Sequence, residues 1–438
     1  MATGGLSKYL FVAAIDIGTT YSGYAFASTK ELKKVKDYGP TPIETIVWNS
    51  GSRSLLSSKA PTALLLKPDK TFQSFGYMAE NDYSDLVSEE EDDEGHSYKD
   101  YYYFHRFKMD LHNNQSVRET SKMKDVTGKD LPTIDVFSHS IRFLKDQLYD
   151  TICTRKEIVR GELNEGDIQY VLTVPAVWDE KAKEFMQKAA RNANIAEEHL
   201  MIITEPEAAS LYCQHIDKDI SLLNTYLMVD LGGVFDVTII KKKSSEKQRE
   251  VMEILPGTSG GNYVDHAFGQ FLSDIVGTRN LDTFKDHYME DNIDICRQFE
   301  GKKRCFAAGS KSNEKMVYIS VPRALESLVK ADRSLKGMDI AIKRSPYAQQ
   351  ISYVRHKLHI PESTFSGFFQ PTIDCIITLT EKMFFGDNVI DAVVLVGGFA
   401  ENTHVQTSFK EKFSRSRVFI PEEGTLAVLK GASAVIQI

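Results

Sequence analysis

Apolar and polar residues follow two different periods along this chain, and the alternation of these periods predicts an α/β fold. Near the N-terminus, the apolar run 9–16 leads into a short Gly-Thr turn, and residues 21–28 then alternate as a second strand. Apolar residues recur at three- and four-residue steps over 134–152, which predicts a helix with one buried face. Strands that alternate with helices are typical of sheets covered by helices.

The same alternation continues towards the C-terminus. Asp179 is predicted to cap the N-terminus of a helix, and Pro371 is predicted to kink a helix over 363–385. The segment 280–360 carries many charges and gives no clear pattern. Further strands are predicted at 43–49, 62–66, 169–175, 200–204, 225–230, 235–242, 391–399 and 417–420, and further helices at 180–193, from 205, at 263–276 and from 424.

The strand–turn–strand pattern of the N-terminus returns in the second half of the chain, where Asp230 takes the place of Asp16. We therefore expect two related lobes, residues 1–222 and residues 223–438. An acidic insertion is expected at about 81–100, since it contains an unbroken run of six acidic residues. This run is typical of a solvated loop, because like charges in a row do not supply the spaced ligands of a cation site.

Composition and charge narrow the class of protein. Apolar residues make up 42% of the 438 residues and charged residues 26%, which excludes a collagen, a long coiled coil and a wholly disordered chain. The net charge of −8 argues against a generic nucleic-acid binder, and no apolar stretch is long enough to span a membrane. The five scattered cysteines form no CxxC pair, which favours a reducing, cytoplasmic setting over a disulfide framework or a zinc site.

The first turn carries residues suited to phosphate binding. Glycine at 18 lets backbone N–H groups approach an anion, and the hydroxyls of Thr19 and Thr20 add donors. Asp16 would repel a phosphate unless a cation lay between them, so we expect it to hold Mg²⁺, through water. An ordinary hairpin turn remains the alternative for this segment taken by itself.

Two further glycine turns point to the same chemistry. Asp230 and Asp236 flank the Gly-Gly turn of the second hairpin, and Gly397 and Gly398 follow an apolar strand and precede a helix. Each pair of glycines is weak evidence when taken alone. Three such turns at strand ends, two of them with carboxylates, predict a nucleotide cleft between the lobes.

Several segments, in the right order, resemble motifs of the 70-kDa heat-shock protein family within the actin-like ATPase superfamily. The segment from Asp16 (DIGTTYS) resembles the first phosphate loop, TVPAVWDEKAKEFMQKAA resembles the segment that joins the lobes, and DAVVLVGGF resembles the adenosine motif. The segments AIDIGTTYSGYAFA, FHRFKMDLH, VGGFAEN and LAVLKGA are most similar to the divergent branch named heat shock 70 kDa protein 12. The resemblance runs from about residue 11 to 436.

The resemblance implies an actin-like ATPase fold that binds ATP or ADP with Mg²⁺, and it implies roles for individual residues. The catalytic residues would be Lys108, Glu205, Asp230 and Asp236, of which Lys108 would reach the γ-phosphate. The Mg²⁺ carboxylates would be Asp16 and Asp230, with Glu205 beside them. The other nucleotide contacts would be Gly18, Thr19, Thr20, Tyr21, Gly232, Gly233, Gly260, Gly261, Glu300, Lys303, Arg304, Gly397, Gly398 and Phe399.

Alternatives stay open for two of these groups. The alternative for Lys108 is a solvated surface lysine. The alternative for the helix with Glu300, Lys303 and Arg304 is a charged, exposed helix face.

The chain also departs from the family pattern. The turn at 230–236 is one residue shorter than Asp-x-Gly-Gly-Gly-Thr-x-Asp and lacks its threonine, and Phe399 replaces the serine that follows the last Gly-Gly pair. The shorter turn bears on hydrolysis more than on binding. Ordinary members continue Gly-Gly-Ser-Thr-Arg, so the arginine that would stack on adenine is absent here, where Phe399, Ala400 and Glu401 follow the glycines.

The leading hypothesis is an ATP-binding, chaperone-like protein of the stress response, in which slow Mg-dependent hydrolysis drives lobe closure. Its partners would be the nucleotide and an unidentified protein or client, with no nucleic acid and no membrane span. The alternative is a nucleotide-binding or pseudo-ATPase interaction module without significant hydrolysis. A small-molecule kinase is a third possibility, but no substrate motif supports it. The chain ends after the closing helix, so no substrate-binding domain is expected.

Overall fold

The computed structural model describes residues 8–34, 42–50, 56–89, 95–109, 118, 120–243, 249–257, 260–308, 315–386 and 388–435. The protein is a mixed α/β structure in which two larger sheets and several small ones are flanked by helices. This architecture agrees with the actin-like ATPase fold that the resemblance implies.

The first sheet has six strands among the described residues and is built around a buried hairpin. Its central strand, Phe11–Ile17, is antiparallel to Tyr21–Ser28 and parallel to Ile168–Val174. Every residue of Phe11–Ile17 is buried, as expected for a strand covered on both faces. The order of the strands is Leu200–Thr204, Ile168–Val174, Phe11–Ile17, Tyr21–Ser28 and Glu44–Thr45, with Ala60–Pro61 paired to Tyr21–Ser28.

The second sheet has five strands and repeats this local topology. Its central strand, Thr225–Leu231, is antiparallel to Phe235–Lys242 and parallel to Ala392–Val396. The predicted echo of the first hairpin is therefore confirmed, whereas the boundary at residues 222 and 223 stays a prediction. The order of the strands is Arg249–Gly257, Phe235–Lys242, Thr225–Leu231, Ala392–Val396 and Arg417–Phe419.

Within the residues that the structure describes, four small sheets lie outside these two. They pair Phe72–Phe75 with Ala63–Leu66 and Tyr102–His105, Met316–Ser320 with Lys357–Pro361 and Ser352–Val354, Lys122–Lys124 with Asp130–Pro132, and Trp48–Asn49 with Leu56–Ser57. The α-helices that the structure describes are Thr29–Leu32, Tyr77–Ser88, Thr133–Arg155, Glu180–Asn192, Glu205–Ile216, Lys218–Leu222, Gly261–Val276, Thr278–His287, Met289–Arg304, Arg323–Ala331, Met338–Arg344, Glu362–Gly367, Gln370–Phe384, Thr403–Lys412 and Ala427–Ala434.

The closing helix Ala427–Ala434 joins the two sheets. A buried cluster combines Val12 of the first hairpin with Met228 of the second and Leu429 of this helix. The helix also crosses Glu205–Ile216 at close range, because a Cβ atom on Gly431 would lie 1.7 Å from the carbonyl oxygen of Ala208. Only glycine allows this approach, and it fixes the helix that begins with Glu205 against the centre of the molecule.

Most predicted elements are confirmed, including the cap at Asp179, whose side chain accepts a hydrogen bond from the backbone N–H of Ala182 at 2.9 Å. The prediction of a single kinked helix over 363–385 is wrong. The structure has two helices there, Glu362–Gly367 and Gln370–Phe384, and Pro371 lies in the first turn of the second. Proline is tolerated in a first turn because the N–H that it lacks has no partner within the helix.

The acidic insertion is a loop only in part. Residues 81–88 belong to the helix Tyr77–Ser88, and the run at 90–94 lies outside the described residues. Tyr83 is buried in this helix and stacks on Tyr103, with ring centroids 4.2 Å apart. The aromatic contact holds the first part of 81–100 against a small sheet, and the solvated loop predicted for the acidic run itself stays a prediction.

Candidate functional site

A cavity of about 630 Å³ lies where the two hairpin turns meet, within the usual size range of small-molecule sites. Almost all of the site residues predicted from the sequence line it, although they come from distant parts of the chain. Gly260 does not line the cavity but lies behind the second turn, where a Cβ atom would come within 2.5 Å of the carbonyl oxygen of Gly233. The predicted residues that line it are Asp16, Gly18, Thr19, Thr20, Tyr21, Lys108, Glu205, Asp230, Gly232, Gly233, Asp236, Gly261, Glu300, Lys303, Arg304, Gly397, Gly398 and Phe399.

The first turn, residues 18–21, is a four-residue loop between the paired residues Ile17 and Ser22. A Cβ atom on Gly18 would lie 2.3 Å from the carbonyl oxygen of Tyr21, so glycine is required at this position. Thr62 holds the turn from below, because its hydroxyl donates to the carbonyl oxygen of Gly18 at 2.7 Å. The turn is therefore rigidly placed at one wall of the cavity.

The second turn, residues 232–234, has only three residues between the paired residues Leu231 and Phe235. It is closed by a hydrogen bond of 2.9 Å from the N–H of Gly232 to the carbonyl oxygen of Val234. A Cβ atom on Gly233 would lie 2.0 Å from Oγ1 of Thr20. The two turns are therefore in direct contact, and the second is one residue shorter than the first.

Asn262 connects the two turns and was missed by the sequence analysis. The hydroxyl of Thr20 donates to Oδ1 of Asn262 at 3.0 Å, and Asn262 lines the cavity. Its only signal in the sequence is its position directly after Gly260 and Gly261, at the start of a helix.

Asp230 and Asp236 face each other across the second hairpin as a directly opposed pair. Burial and the negative charge of Glu205 raise the pKa of each carboxyl group to about 7. Among the described residues, no donor lies within hydrogen-bond distance of the buried Oδ1 of Asp236. Two opposed carboxylates destabilise a hairpin unless a proton or a cation separates their charges.

Asp16 has donors on both of its carboxylate oxygens. Lys59 Nζ lies 2.7 Å from Oδ2, and the hydroxyl of Thr173 donates to Oδ1 at 2.8 Å. Burial opposes ionisation of Asp16, but the charges of Lys59 and Lys108 outweigh it and lower the pKa. No local motif marks Lys59, so the sequence by itself does not point to it.

Lys108 and Glu205 form a second ion pair in the cavity, with Nζ 2.6 Å from Oε1. Lys108 is buried and lies 5.8 Å from the centre of the Trp178 ring, so the alternative of a solvated surface lysine is wrong. Glu205 begins its helix at a capping box, in which Glu207 accepts hydrogen bonds from both the backbone N–H and the hydroxyl of Thr204. The local motif thus places Glu205 at the cavity wall.

The far end of the cavity is formed by the helix Met289–Arg304. Lys303 is buried between Glu300 and Asp265, with Nζ 2.6 Å from Oε2 of Glu300. Arg304 lies over the ring of Tyr21, 5.2 Å from its centre. The alternative of an exposed, charged helix face is therefore wrong for Glu300 and Lys303.

Gly397, Gly398 and Phe399 complete this end. Gly397 has a φ angle of 91°, and a Cβ atom there would lie 2.4 Å from Oδ1 of Asp230, so the turn needs glycine for two reasons. Phe399 is buried and stacks on Phe369, with ring centroids 6.1 Å apart. An aromatic wall therefore stands beside Gly398, and Glu401 takes the place of the arginine that the family motif has three residues after its last glycine.

Ion pairs also join residues on the two sides of the predicted boundary at residues 222 and 223. Arg106 Nη2 lies 3.1 Å from Oδ2 of Asp265, and Arg297 Nη2 lies 2.6 Å from Oε2 of Glu80. The guanidinium of Arg297 also lies 5.4 Å from the ring centre of Tyr77. These contacts hold the helix Tyr77–Ser88 against the helix Met289–Arg304, and they hold Arg106, which follows the strand Tyr102–His105, against the helix Gly261–Val276.

Within the described ranges, no three His, Cys, Asp or Glu side chains come together as direct ligands of a metal ion. A cation held through its own water molecules needs no such group, and Mg²⁺ usually keeps several waters. In the part of the chain that the structure describes, no helix is both long and apolar enough to cross a membrane.

Comparisons with known proteins agree with the sequence resemblance. No protein-family model matches the chain. It is 28% identical to human heat shock 70 kDa protein 12A over 97% of its own length and 69% of that protein, and 28% identical to human heat shock 70 kDa protein 12B over 97% and 68%. It is also 26% identical to the chaperone protein DnaK of Mycoplasmopsis synoviae (strain 53), over 61% of the chain and 40% of that protein. The resemblance to the heat shock 70 kDa protein 12 branch is confirmed, and with it the actin-like ATPase fold.

Proposed function

This chain is a relative of the heat shock 70 kDa protein 12 proteins, and we propose that it binds ATP or ADP with Mg²⁺ in the cavity between its two hairpins. The observation that carries this proposal is the meeting of two glycine turns above the opposed carboxylates of Asp230 and Asp236. Backbone N–H groups at such turns bind phosphate oxygens, and a cation beside the carboxylates would separate their charges.

The residues present fit Mg²⁺. Asp230 and Asp236 would hold it through water, since Oδ1 of Asp236 has no donor among the described residues. A bound Mg²⁺ would neutralise charge on the phosphate oxygens. The charges at this end of the cavity also favour a divalent cation, because there are more carboxylates than lysines. The four carboxylates are those of Asp16, Glu205, Asp230 and Asp236, and the two lysines are Lys59 and Lys108.

The two ends of the cavity suit the two ends of a nucleotide. The phosphates would lie at the turns 18–21 and 232–234. The nucleoside would lie between the helix Met289–Arg304 and the turn at Gly397 and Gly398, where Phe399 offers an apolar surface. An ordinary member of the family would use an arginine against the base, and this chain would use Arg304 and Phe399 instead.

Slow ATP hydrolysis and lobe closure belong to the same proposal. Lys108, fixed by its ion pair with Glu205, would hold the terminal phosphate and the attacking water in position. Closure would depend on the ion pairs of Arg106 with Asp265 and of Arg297 with Glu80, which join the two sides. A nucleotide that favours the closed form would then gate an unidentified protein partner. We propose a chaperone-like role because a relative is named as a chaperone, and a cytoplasmic setting because the five cysteines are scattered.

A second candidate is a nucleotide-binding module that does not hydrolyse ATP at a significant rate. The three-residue turn 232–234 favours it, because this turn has no side-chain hydroxyl to contact the transferring phosphoryl group. Calorimetric titration with ADP and ATP, with and without Mg²⁺, tests binding, and phosphate release in a single turnover separates the two candidates. A ligand at about 100 times its dissociation constant should stabilise the protein by about 2.7 kcal/mol, and no shift with MgADP would contradict the proposal.

Gly233→Ala is expected to weaken ADP binding about tenfold. The added Cβ atom would lie 2.0 Å from Oγ1 of Thr20, so the two turns must move apart, which costs on the order of 1–3 kcal/mol. Gly269→Ala is the matched control, because a Cβ atom there meets nothing within 4 Å. Calorimetry of both variants checks the result. Equal affinities in the two variants would show that the contact between the turns does not shape the binding site.

A further inference from the structure

Lys59 is a buried cation in a cleft of carboxylates, and the proposed function does not account for it. Its side chain is 12% exposed, and Nζ lies 2.7 Å from Oδ2 of Asp16. Thr173 binds the other oxygen of Asp16. Asp16, one of the two carboxylates that the sequence assigns to Mg²⁺, is therefore already neutralised by the protein itself, whereas Asp230, the other, and Asp236 are not.

The backbone fixes this lysine in place. The neighbouring residues Ala60 and Pro61 pair with Ser22 and Tyr21, at the second arm of the first turn. Further on, the N–H of Thr62 donates to the carbonyl oxygen of Thr20 at 2.9 Å. Lys59 is thus anchored to the turn itself and not to a separate surface loop.

The aliphatic part of the Lys59 side chain also packs closely against Gly23 on its way to the cavity. A Cβ atom on Gly23 would lie 3.1 Å from Cγ of Lys59, closer than most such contacts in proteins. Glycine at this position leaves room for the aliphatic part of the lysine beside the strand Tyr21–Ser28. The ammonium group emerges at the cavity wall, where Lys59 is one of the lining residues.

Lys59 lies among carboxylates. It forms an ion pair with Asp16, and Asp230 and Glu205 line the same cavity. An ammonium group has three N–H donors, and one of them serves Asp16. The remaining donors can serve a ligand anion at the first turn.

We propose that Lys59 is a phosphate-binding residue of this cavity, and that its ammonium group supplies at the first turn part of the positive charge that a divalent cation would otherwise provide. This inference rests on the proposed nucleotide binding. In this arrangement Asp16 orients Lys59, and Asp230 and Asp236 hold Mg²⁺. Lysine binds phosphate as a point charge, so it would reduce the dependence of nucleotide affinity on Mg²⁺.

The test compares the affinity for ATP and ADP in excess Mg²⁺ and in EDTA, by calorimetry, in the wild type and in Lys59→Gln. The loss of affinity on removal of Mg²⁺ is expected to be at least about tenfold larger in Lys59→Gln than in the wild type, because a charge-assisted bond to phosphate is lost. Lys59→Arg keeps the charge and is expected to retain most of the Mg²⁺-independent binding.

Lys145→Gln is the matched control. Lys145 is also a buried lysine with carboxylate partners, Glu165 at 3.0 Å and Asp146 at 3.1 Å, but it does not line the cavity. Its replacement should lower thermal stability without changing the effect of Mg²⁺ on affinity. If Lys59→Gln does not fold, the double variant Asp16→Asn with Lys59→Gln removes both charges together and is expected to bind nucleotide only in the presence of Mg²⁺.

Two outcomes would overturn the inference in different ways. If Lys59→Gln, or the double variant, shows the same ratio of affinities with and without Mg²⁺ as the wild type, Lys59 only neutralises Asp16, and nucleotide binding stands. If the wild type binds neither nucleotide in excess Mg²⁺, the proposed function itself fails, and the role of Lys59 fails with it.

Discussion

Replacing Val234 by Gly-Thr is expected to raise the rate of single-turnover ATP hydrolysis by about ten- to a hundredfold, with little change in ADP affinity. The wild-type turn 232–234 is closed by the bond from Gly232 to Val234 and has no side-chain donor. The first turn, 18–21, is one residue longer and carries two threonine hydroxyls. The added residue restores both length and a hydroxyl at the side of the cavity where the terminal phosphate would lie.

The size of this effect follows from the chemistry of phosphoryl transfer. Catalysis of this reaction depends on positioning and on charge stabilisation, and one donor at the reacting group is worth on the order of 10²–10³ in rate. Ground-state binding is spread over many contacts, so ADP affinity should change much less. Release of labelled phosphate from ATP, measured with enzyme in excess, checks the prediction.

A variant of equal length separates the hydroxyl from the longer turn. Val234→Gly-Ala adds the residue without the donor, and it should recover only a small part of the rate. An unchanged rate with Gly-Thr, or a wild type already as fast, would mean that another group stabilises the γ-phosphate. Lys108 would then be the first candidate, because it is already held in the cavity by Glu205.

Asp236→Asn is expected to stabilise the ligand-free protein by about 2–4 kcal/mol above neutral pH. Asp236 is opposed to Asp230 in the second hairpin, and burial and Glu205 raise its pKa to about 7 from 3.8. Between these two values the unfolded chain releases the proton while the folded protein keeps it, so the stability of the wild type falls as the pH rises. Asparagine carries no such charge, and the variant avoids this loss.

Urea unfolding at about pH 5 and about pH 8 checks the sign of this effect. The difference in stability between Asp236→Asn and the wild type should grow from the lower to the higher pH and then level off. Asp282→Asn, at an exposed position, is the control and should show a small, constant difference. The variant should also lose much of the Mg²⁺-dependent stabilisation by ADP. A variant that is less stable than the wild type at about pH 8 would contradict the opposed-carboxylate interpretation.

The fold was predictable from the sequence where the signal is local. The two hairpins and the helix with Asp179 at its cap follow from residues a few positions apart, and the structure confirms them. The kink at Pro371 was wrong, because a proline inside a helical pattern and a proline in the first turn of a new helix give the same local pattern. The helix Tyr77–Ser88 was missed because its burial depends on Tyr103, in a strand that follows the acidic run.

The candidate site divides in the same way. The sequence by itself determined the glycine turns and the carboxylates beside them, since a tight turn and a charge next to it are properties of adjacent residues. Only the tertiary structure decided which charges are neutralised. Lys59 and Asp16 lie 43 positions apart, and Lys108 and Glu205 lie 97 apart, so no periodicity or motif joins them. The strength of an ion pair depends on separation in space and on burial, and both are set by how the two hairpins pack against the closing helix.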